Sequence, residues 1–133
     1  MKYICTKEEI WNIDIKFKAW DLIFLYWDLG SWKTTLVSAL INKILNKDIK
    51  IQSPTYIHYK KYDKIFHFDL YRLESYNDFV NIWWEEILDD ESLISFIEWP
   101  EILEDNYKPA YIIRLEKLPQ DLNKRSIVIE KLL

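Results

Sequence analysis

The sequence predicts a three-layer α/β sandwich around a mainly parallel central sheet, and three observations carry that prediction. Apolar runs of strand length alternate with segments of helical period along the 133 residues, the pattern of strands and helices packed in layers. The run Asp21-Leu-Ile-Phe-Leu-Tyr26 is continuously apolar after its first residue, as a parallel strand covered on both faces must be. A second compact run, Leu93-Ile-Ser-Phe-Ile97, is followed by a carboxylate, Glu98.

Taken in order, Lys2 to Cys5 reads as a first strand, and Thr6 with Glu9 three residues on reads as a capping box. The helix it opens is expected to run to about Phe17. Asp21 to Tyr26 is the best candidate for the sheet centre. After a loop from Trp27 to Trp32, the apolar positions Leu36, Val37, Leu40, Ile41, Ile44 and Leu45 repeat at helical spacing over Lys33 to Asn46. Ser53-Pro54 marks a turn; Thr55 to Tyr62 and Lys64 to Asp69 are β-rich and joined at Asp63, which predicts an antiparallel hairpin. Ser75 to Ile82 has mostly helical spacing. Ser92 to Glu98, Ala110 to Glu116 and Ser126 to Glu130 complete the strands, and no linker or repeat divides the expected single domain of residues 1–133.

Composition excludes several classes. Half the residues are hydrophobic and 30% are charged, which excludes disorder. No apolar stretch reaches the roughly 18 to 20 residues of a membrane span, and the start MKYICTKEEIWN lacks a secretory apolar segment. A soluble, cytoplasmic protein with no membrane partner is therefore expected. Cys5 is the only cysteine, so neither an internal disulfide nor a multi-cysteine zinc site is available. The net charge of -4 argues against direct, non-specific grip on nucleic acid but leaves room for a partner that holds it.

One count is abnormal. About 9 glycines are expected at ordinary usage, and a single one would arise by chance roughly once in a thousand such chains. Tryptophan is in excess instead, with 7 copies at Trp11, Trp20, Trp27, Trp32, Trp83, Trp84 and Trp99.

Two of these tryptophans interrupt a motif. Trp27-Asp28-Leu29-Gly30-Ser31-Trp32-Lys33-Thr34-Thr35 lies between a buried strand and a helix, and it has the spacing, lysine and hydroxyl of a phosphate-binding loop, G-x-x-x-x-G-K-[ST]. Both glycine positions hold tryptophan. Glycine belongs there because the backbone must wrap the phosphates with successive N–H groups pointing inward and no side chain against the ligand. An indole at position 32 would occupy that space. A strand, turn and basic helix start can also occur by accident, with Gly30 a plain turn residue.

Read together, that loop, Ser53-Pro-Thr-Tyr56, His67-Phe-Asp-Leu-Tyr-Arg72 and Ile97-Glu-Trp-Pro-Glu101 resemble the TsaE (YjeE) family in order and spacing. The resemblance covers nearly the whole chain. It implies a P-loop NTPase type of fold and a magnesium-dependent ATPase of bacterial tRNA threonylcarbamoyladenosine synthesis. It also implies two protein partners, the threonylcarbamoyl transferase catalytic subunit and its inactive homologue, with tRNA met indirectly through that complex. By the same resemblance, residues 27–35 form the ATP-binding loop, Lys33 binds the β- and γ-phosphates, and Thr34 ligates Mg2+. Asp69 and Glu98 hold the metal or orient the attacking water, and which does which is not readable. Thr55 falls in a segment that responds to nucleotide.

The chain departs from the family by one rule: tryptophan stands at Trp27, Trp32, Trp20 and Trp83 where members have glycine, whereas Trp99 matches a family tryptophan. Reading Trp11, Trp20, Trp27, Trp32, Trp83 and Trp84 as glycine raises glycine from 1 to 7 and lowers tryptophan from 7 to 1. The explanation expected is UGA codons that mean glycine in the source and were rendered as tryptophan. The 15 lysines against 3 arginines fit an AT-rich coding sequence.

Elsewhere ordinary readings are preferred. Asp69 taken alone would be a turn aspartate, Thr55 a strand threonine, and His58 and His67 structural. Lys60-Lys61, Glu85-Glu86 and Asp89-Asp90 are solvated surface. Tyr71, Arg72 and Trp99 either pack the site or meet a partner. Two other functions compete: a non-hydrolysing partner-binding protein in which the tryptophans are genuine, and a small-metabolite kinase, for which no basic lid segment is visible.

Overall fold

The structure is a computed structural model that describes residues 1–27, 32–51, 59–82 and 84–132. Seven strands form one sheet: β1 (Lys2–Thr6), β2 (Leu22–Trp27), β3 (Tyr59–Tyr62), β4 (Ile65–Asp69), β5 (Ile94–Glu98), β6 (Tyr111–Lys117) and β7 (Lys124–Lys131). Their spatial order is β1-β7-β6-β2-β5-β4-β3. The four inner strands β6, β2, β5 and β4 run parallel, while β1, β7 and β3 attach antiparallel at the two edges. The helices are α1 (Lys33–Leu45), α2 (Tyr76–Asn81) and α3 (Glu85–Leu88), with 3-10 turns at Glu8–Asn12 and Pro100–Leu103.

Alternation along the inner strands makes the layers. Ile23 and Leu25 of β2, with Ile94 and Phe96 of β5, pack in the core that holds Leu36, Val37, Leu40 and Ile41 of α1. Phe24 of β2, Phe68 of β4 and Ile97 of β5 point to the other face, where Phe79, Trp84, Leu88 and Leu103 cover them. Both faces of the inner sheet are thus buried, which is why β2 reads as an unbroken apolar run. Burying a side chain such as Leu36 or Ile41 contributes about 1.5–3 kcal/mol, and both are fully enclosed.

Local signals explain the ends. Helix α1 closes on Asn46 in the left-handed region (φ 52°), whose N–H bonds the carbonyls of Asn42 and Lys43. Asp63, also left-handed (φ 57°), turns the β3–β4 hairpin predicted at that residue. Ser75 and Asp78 form a reciprocal capping box that starts α2.

The first helix is shorter than expected. The Thr6–Glu9 cap is present, with Thr6 N–H donating to Glu9 Oε1 at 2.9 Å and Glu9 N–H to Thr6 Oγ1 at 3.4 Å. It opens only the turn Glu8–Asn12, and Ile13 is already extended (φ -69°, ψ 121°). The reason is a change of period: Ile13, Ile15 and Phe17 alternate with Asp14, Lys16 and Lys18, a spacing of two that lays one edge of an extended segment on the core. Phe17 meets Phe96 and Tyr111 edge-on at 5.5 and 5.0 Å.

Candidate functional site at the carboxyl edge of the inner strands

Parallel strands place their carboxyl ends along one edge, the usual place for ligands in open α/β sheets. Here that edge brings together the end of β2 at Trp27, the end of β4 at Asp69 and the end of β5 at Glu98. Glu98 stands opposite Leu25 on one side and Asp69 on the other. Helix α1 begins at Lys33, whose side chain reaches Glu98 at this edge. The first turn of α1 carries no acidic residue, which leaves its partial positive charge uncompensated by carboxylates of its own.

Lys33 and Glu98 meet: Nζ lies 3.7 Å from Oε1. Glu98 is 2% exposed, and its Oε2 accepts a hydrogen bond from His67 Nε2. Glu98 Oε1 makes no hydrogen bond among the described residues, and Lys33 is its ionic neighbour. Such an oxygen, buried beside a cation, has the capacity to accept a hydrogen bond from water or to coordinate a metal ion. Asp69 is buried, and its Oδ1 accepts from the backbone N–H of Tyr71 at 3.0 Å. Thr34 is exposed and Thr35 half-buried at the start of α1. Among the described residues no three of the His, Cys, Asp and Glu side chains converge as a metal cage.

The two loop tryptophans pack inward. Trp27 lies half-buried against the α1-side core, its ring 5.9 Å from Lys33 Nζ and its Nε1 without a hydrogen-bond partner among the described residues. Trp32 also packs on that core, under the Arg125 guanidinium at 4.1 Å. Asp28, Leu29, Gly30 and Ser31 lie outside the described residues, as do Thr55, His58 and Trp83.

At the rim, Tyr71 is 63% exposed and its ring lies 5.0 Å from that of Trp99. Trp99 has a left-handed backbone (φ 57°) that turns the chain from β5 into the Pro100–Leu103 turn. Beside it, Tyr26 donates to Glu104 Oε1 at 2.6 Å and carries Arg114 over its ring at 4.8 Å. Burial and the Glu104 hydrogen bond push the Tyr26 phenol well above its ordinary range. No described helix is long and apolar enough to cross a membrane.

Thus the structure brings Lys33, Asp69 and Glu98 to one edge, with Thr34 on the next residue of α1. Sequence reasoning missed His67 as a partner of Glu98. Its spacing of two from Asp69 on β4 was the available signal, since residues 67 and 69 share a face.

Comparison with known proteins gives the family. Residues 6–127 match the family model described as threonylcarbamoyl adenosine biosynthesis protein TsaE. The chain is 34% identical over 110 residues to the tRNA threonylcarbamoyladenosine biosynthesis protein TsaE of Rickettsia felis, covering 79% of this chain and 62% of that protein. It is 35% identical over 126 residues to the protein of the same name from Nostoc sp., covering 85% and 74%. The chain therefore spans less than two thirds of the Rickettsia felis protein, and three quarters of the Nostoc one. The crystal structure of Bacillus subtilus YdiB shares the fold, with a TM-score of 0.74 at 20% identity over 100% of this chain and 86% of that one. By the family model and by its relatives, the chain belongs to the TsaE family.

Proposed function

We propose that this chain is the ATPase of the tRNA N6-threonylcarbamoyladenosine machinery, hydrolysing ATP so that the threonylcarbamoyl transferase complex can turn over. The observation that carries the reading is the pairing of Lys33 Nζ with the buried Glu98 at the carboxyl edge of the parallel strands. It joins the lysine of a phosphate-loop pattern to a strand-ending carboxylate, in a chain whose relatives are named for this modification.

Each residue has a role that follows from its place. Lys33 neutralises phosphate oxygens, helped by the open amino end of α1 and the loop N–H groups. Thr34 and Asp69 are the residues that would hold magnesium, with Glu98 reaching it through a water, and the bound ion would supply positive charge to the phosphates. Glu98 Oε1, freed when Lys33 turns to phosphate, orients the attacking water and receives its proton as the water oxygen bonds to the terminal phosphorus and the bond from that phosphorus to the ADP oxygen breaks, releasing ADP. Tyr71 and Trp99 offer an aromatic rim to the transferase catalytic subunit or its inactive homologue, with tRNA carried by that complex in the cytoplasm.

Position by position, the anomalous tryptophans now differ. Trp20 has φ 70° and is 57% exposed, a backbone that favours glycine. Trp84 is 7% exposed with helical φ and ψ, and its ring meets Phe68, Tyr59 and Phe79 at 5.0, 5.4 and 5.8 Å. That packing favours tryptophan. The expected codons are UGA at 11, 20, 27, 32 and 83 and UGG at 99, and the ring contacts turn the expectation at 84 from UGA to UGG. UGG at 27 and 32 would refute the recoding.

A second reading rests on the half-buried seats of Trp27 and Trp32. If both are genuine, the chain binds the same partners and hydrolyses nothing. Calorimetry decides: the chain with Trp27→Gly and Trp32→Gly should bind ATP with magnesium, and the unsubstituted chain weakly or not at all. Equal binding would show that the loop has been misplaced. Multi-cycle tRNA modification with the two transferase subunits then tests the pathway, and a hydrolysing chain without effect there would remove the tRNA assignment.

A further inference from the structure

We propose that His67 is the positioning residue of Glu98, fixing which carboxylate oxygen faces the ligand. The inference rests on the hydrolytic reading of Glu98 and goes beyond it by assigning a function to a side chain that never reaches the ligand edge.

His67 lies on β4 two residues before the strand's end, opposite Phe96 of β5, and is 1% exposed. Glu98 lies two residues after Phe96 on the same face of the next strand, so the imidazole supports the carboxylate from the core side. The two oxygens of Glu98 then differ. Oε2 is held by His67 Nε2, while Oε1 makes no hydrogen bond among the described residues and faces Lys33 at 3.7 Å. A glutamate has three side-chain torsions, and a bond to one oxygen removes the freedom that would otherwise swap or turn the pair. A buried imidazole is itself costly unless hydrogen-bonded, and its Nδ1 has no hydrogen-bond partner among the described residues. The Nε2 bond to Glu98 is the polar contact that holds the ring. The ring sits two residues inward of the strand ends, behind Glu98, so its effect passes through Glu98.

The test uses the full chain. Proton NMR of the unsubstituted protein with nitrogen-15 histidine should show a low-field Nε2–H resonance, slow to exchange and absent from Glu98→Ala. In the Trp27→Gly, Trp32→Gly background, His67→Phe keeps ring volume without the donor, and His67→Gln keeps an N–H. With folding verified by circular dichroism and urea midpoint, His67→Phe should lower kcat at least about tenfold with KM for magnesium ATP within about twofold. His67→Gln should restore a large part of that loss. Adding His67→Phe to Glu98→Gln should lower kcat no further, as expected for two groups acting as one unit. A folded His67→Phe with unchanged kcat, additive losses in the double variant, or absence of the low-field proton would each overturn the inference. A parent chain that hydrolyses nothing while showing that proton would defeat the ATPase reading and leave the hold of His67 on Glu98 standing.

Discussion

Replacing Trp20 and Trp84 by glycine and by alanine should give stability orders of opposite sign. At position 20 both variants lose the same indole, so their difference isolates the backbone. A residue with a Cβ in the left-handed region costs about 1–2 kcal/mol, and the backbone there has φ 70°. Glycine's greater freedom in the unfolded chain offsets about 0.5–1 kcal/mol of that relief. Trp20→Gly should therefore be more stable than Trp20→Ala by about 0.5–1 kcal/mol. Position 84 caps α3 with a right-handed backbone (φ -80°, ψ -13°) that alanine adopts without strain, so alanine should there exceed glycine by about 0.4–1 kcal/mol through the unfolded chain. Both variants at 84 should also fall about 3–5 kcal/mol below the unsubstituted chain, because the ring fills the space between Phe68, Phe79 and Tyr59. Urea denaturation followed by far-ultraviolet circular dichroism measures all four, and roughly 4 °C in Tm accompanies each kcal/mol in a chain of this size. Trp20→Ala as stable as Trp20→Gly would refute the left-handed assignment. A Trp84→Gly variant without loss would refute the packing argument and return glycine to position 84.

How much of this was legible depended on whether the signal was local. Strands β2 and β5 and helix α1 could be read because their apolar periods run unbroken for several residues and both sheet faces are covered. The first helix was over-read because its cap is real, whereas the switch to period two at Ile13 ends it after one turn. Lys33, Asp69 and Glu98 were legible through ordered motifs around strand ends. His67 was not, because its spacing of two from Asp69 gives only a shared face, and it takes the register of β4 against β5 to set it beside a glutamate thirty-one residues away. Trp84 resembled its neighbours in sequence, and only tertiary packing separates it from Trp20, since a core position and a left-handed turn look alike in a list of residues.

The remaining predictions concern the site. Asp69→Ala and Glu98→Ala in the glycine-restored chain should each lower ATPase turnover about a hundredfold or more while part of the nucleotide affinity survives, and Lys33→Ala should damage both; steady-state kinetics with calorimetry checks this. Tyr26 has its pKa raised in the folded state, so the folded form holds more protons above the ordinary phenol value of 10.0 and stability should fall as pH rises beyond it. Urea midpoints at rising alkaline pH should show the decline, and Tyr26→Phe should reduce it; a pH dependence identical in the variant would refute the assignment. Finally, Glu98 competes with phosphate for Lys33 when no ligand is bound, because Oε1 lies 3.7 Å from Nζ. Removing that charge frees the ammonium, which is partly exposed, so screening limits the gain to less than about 1 kcal/mol. Measured in EDTA, where magnesium cannot complicate the balance, Glu98→Gln should bind ADP as tightly as its parent or up to about fivefold more tightly, even though turnover is lost. A clear loss of ADP affinity under those conditions would show that Glu98 supports the nucleotide directly and does not compete for its lysine.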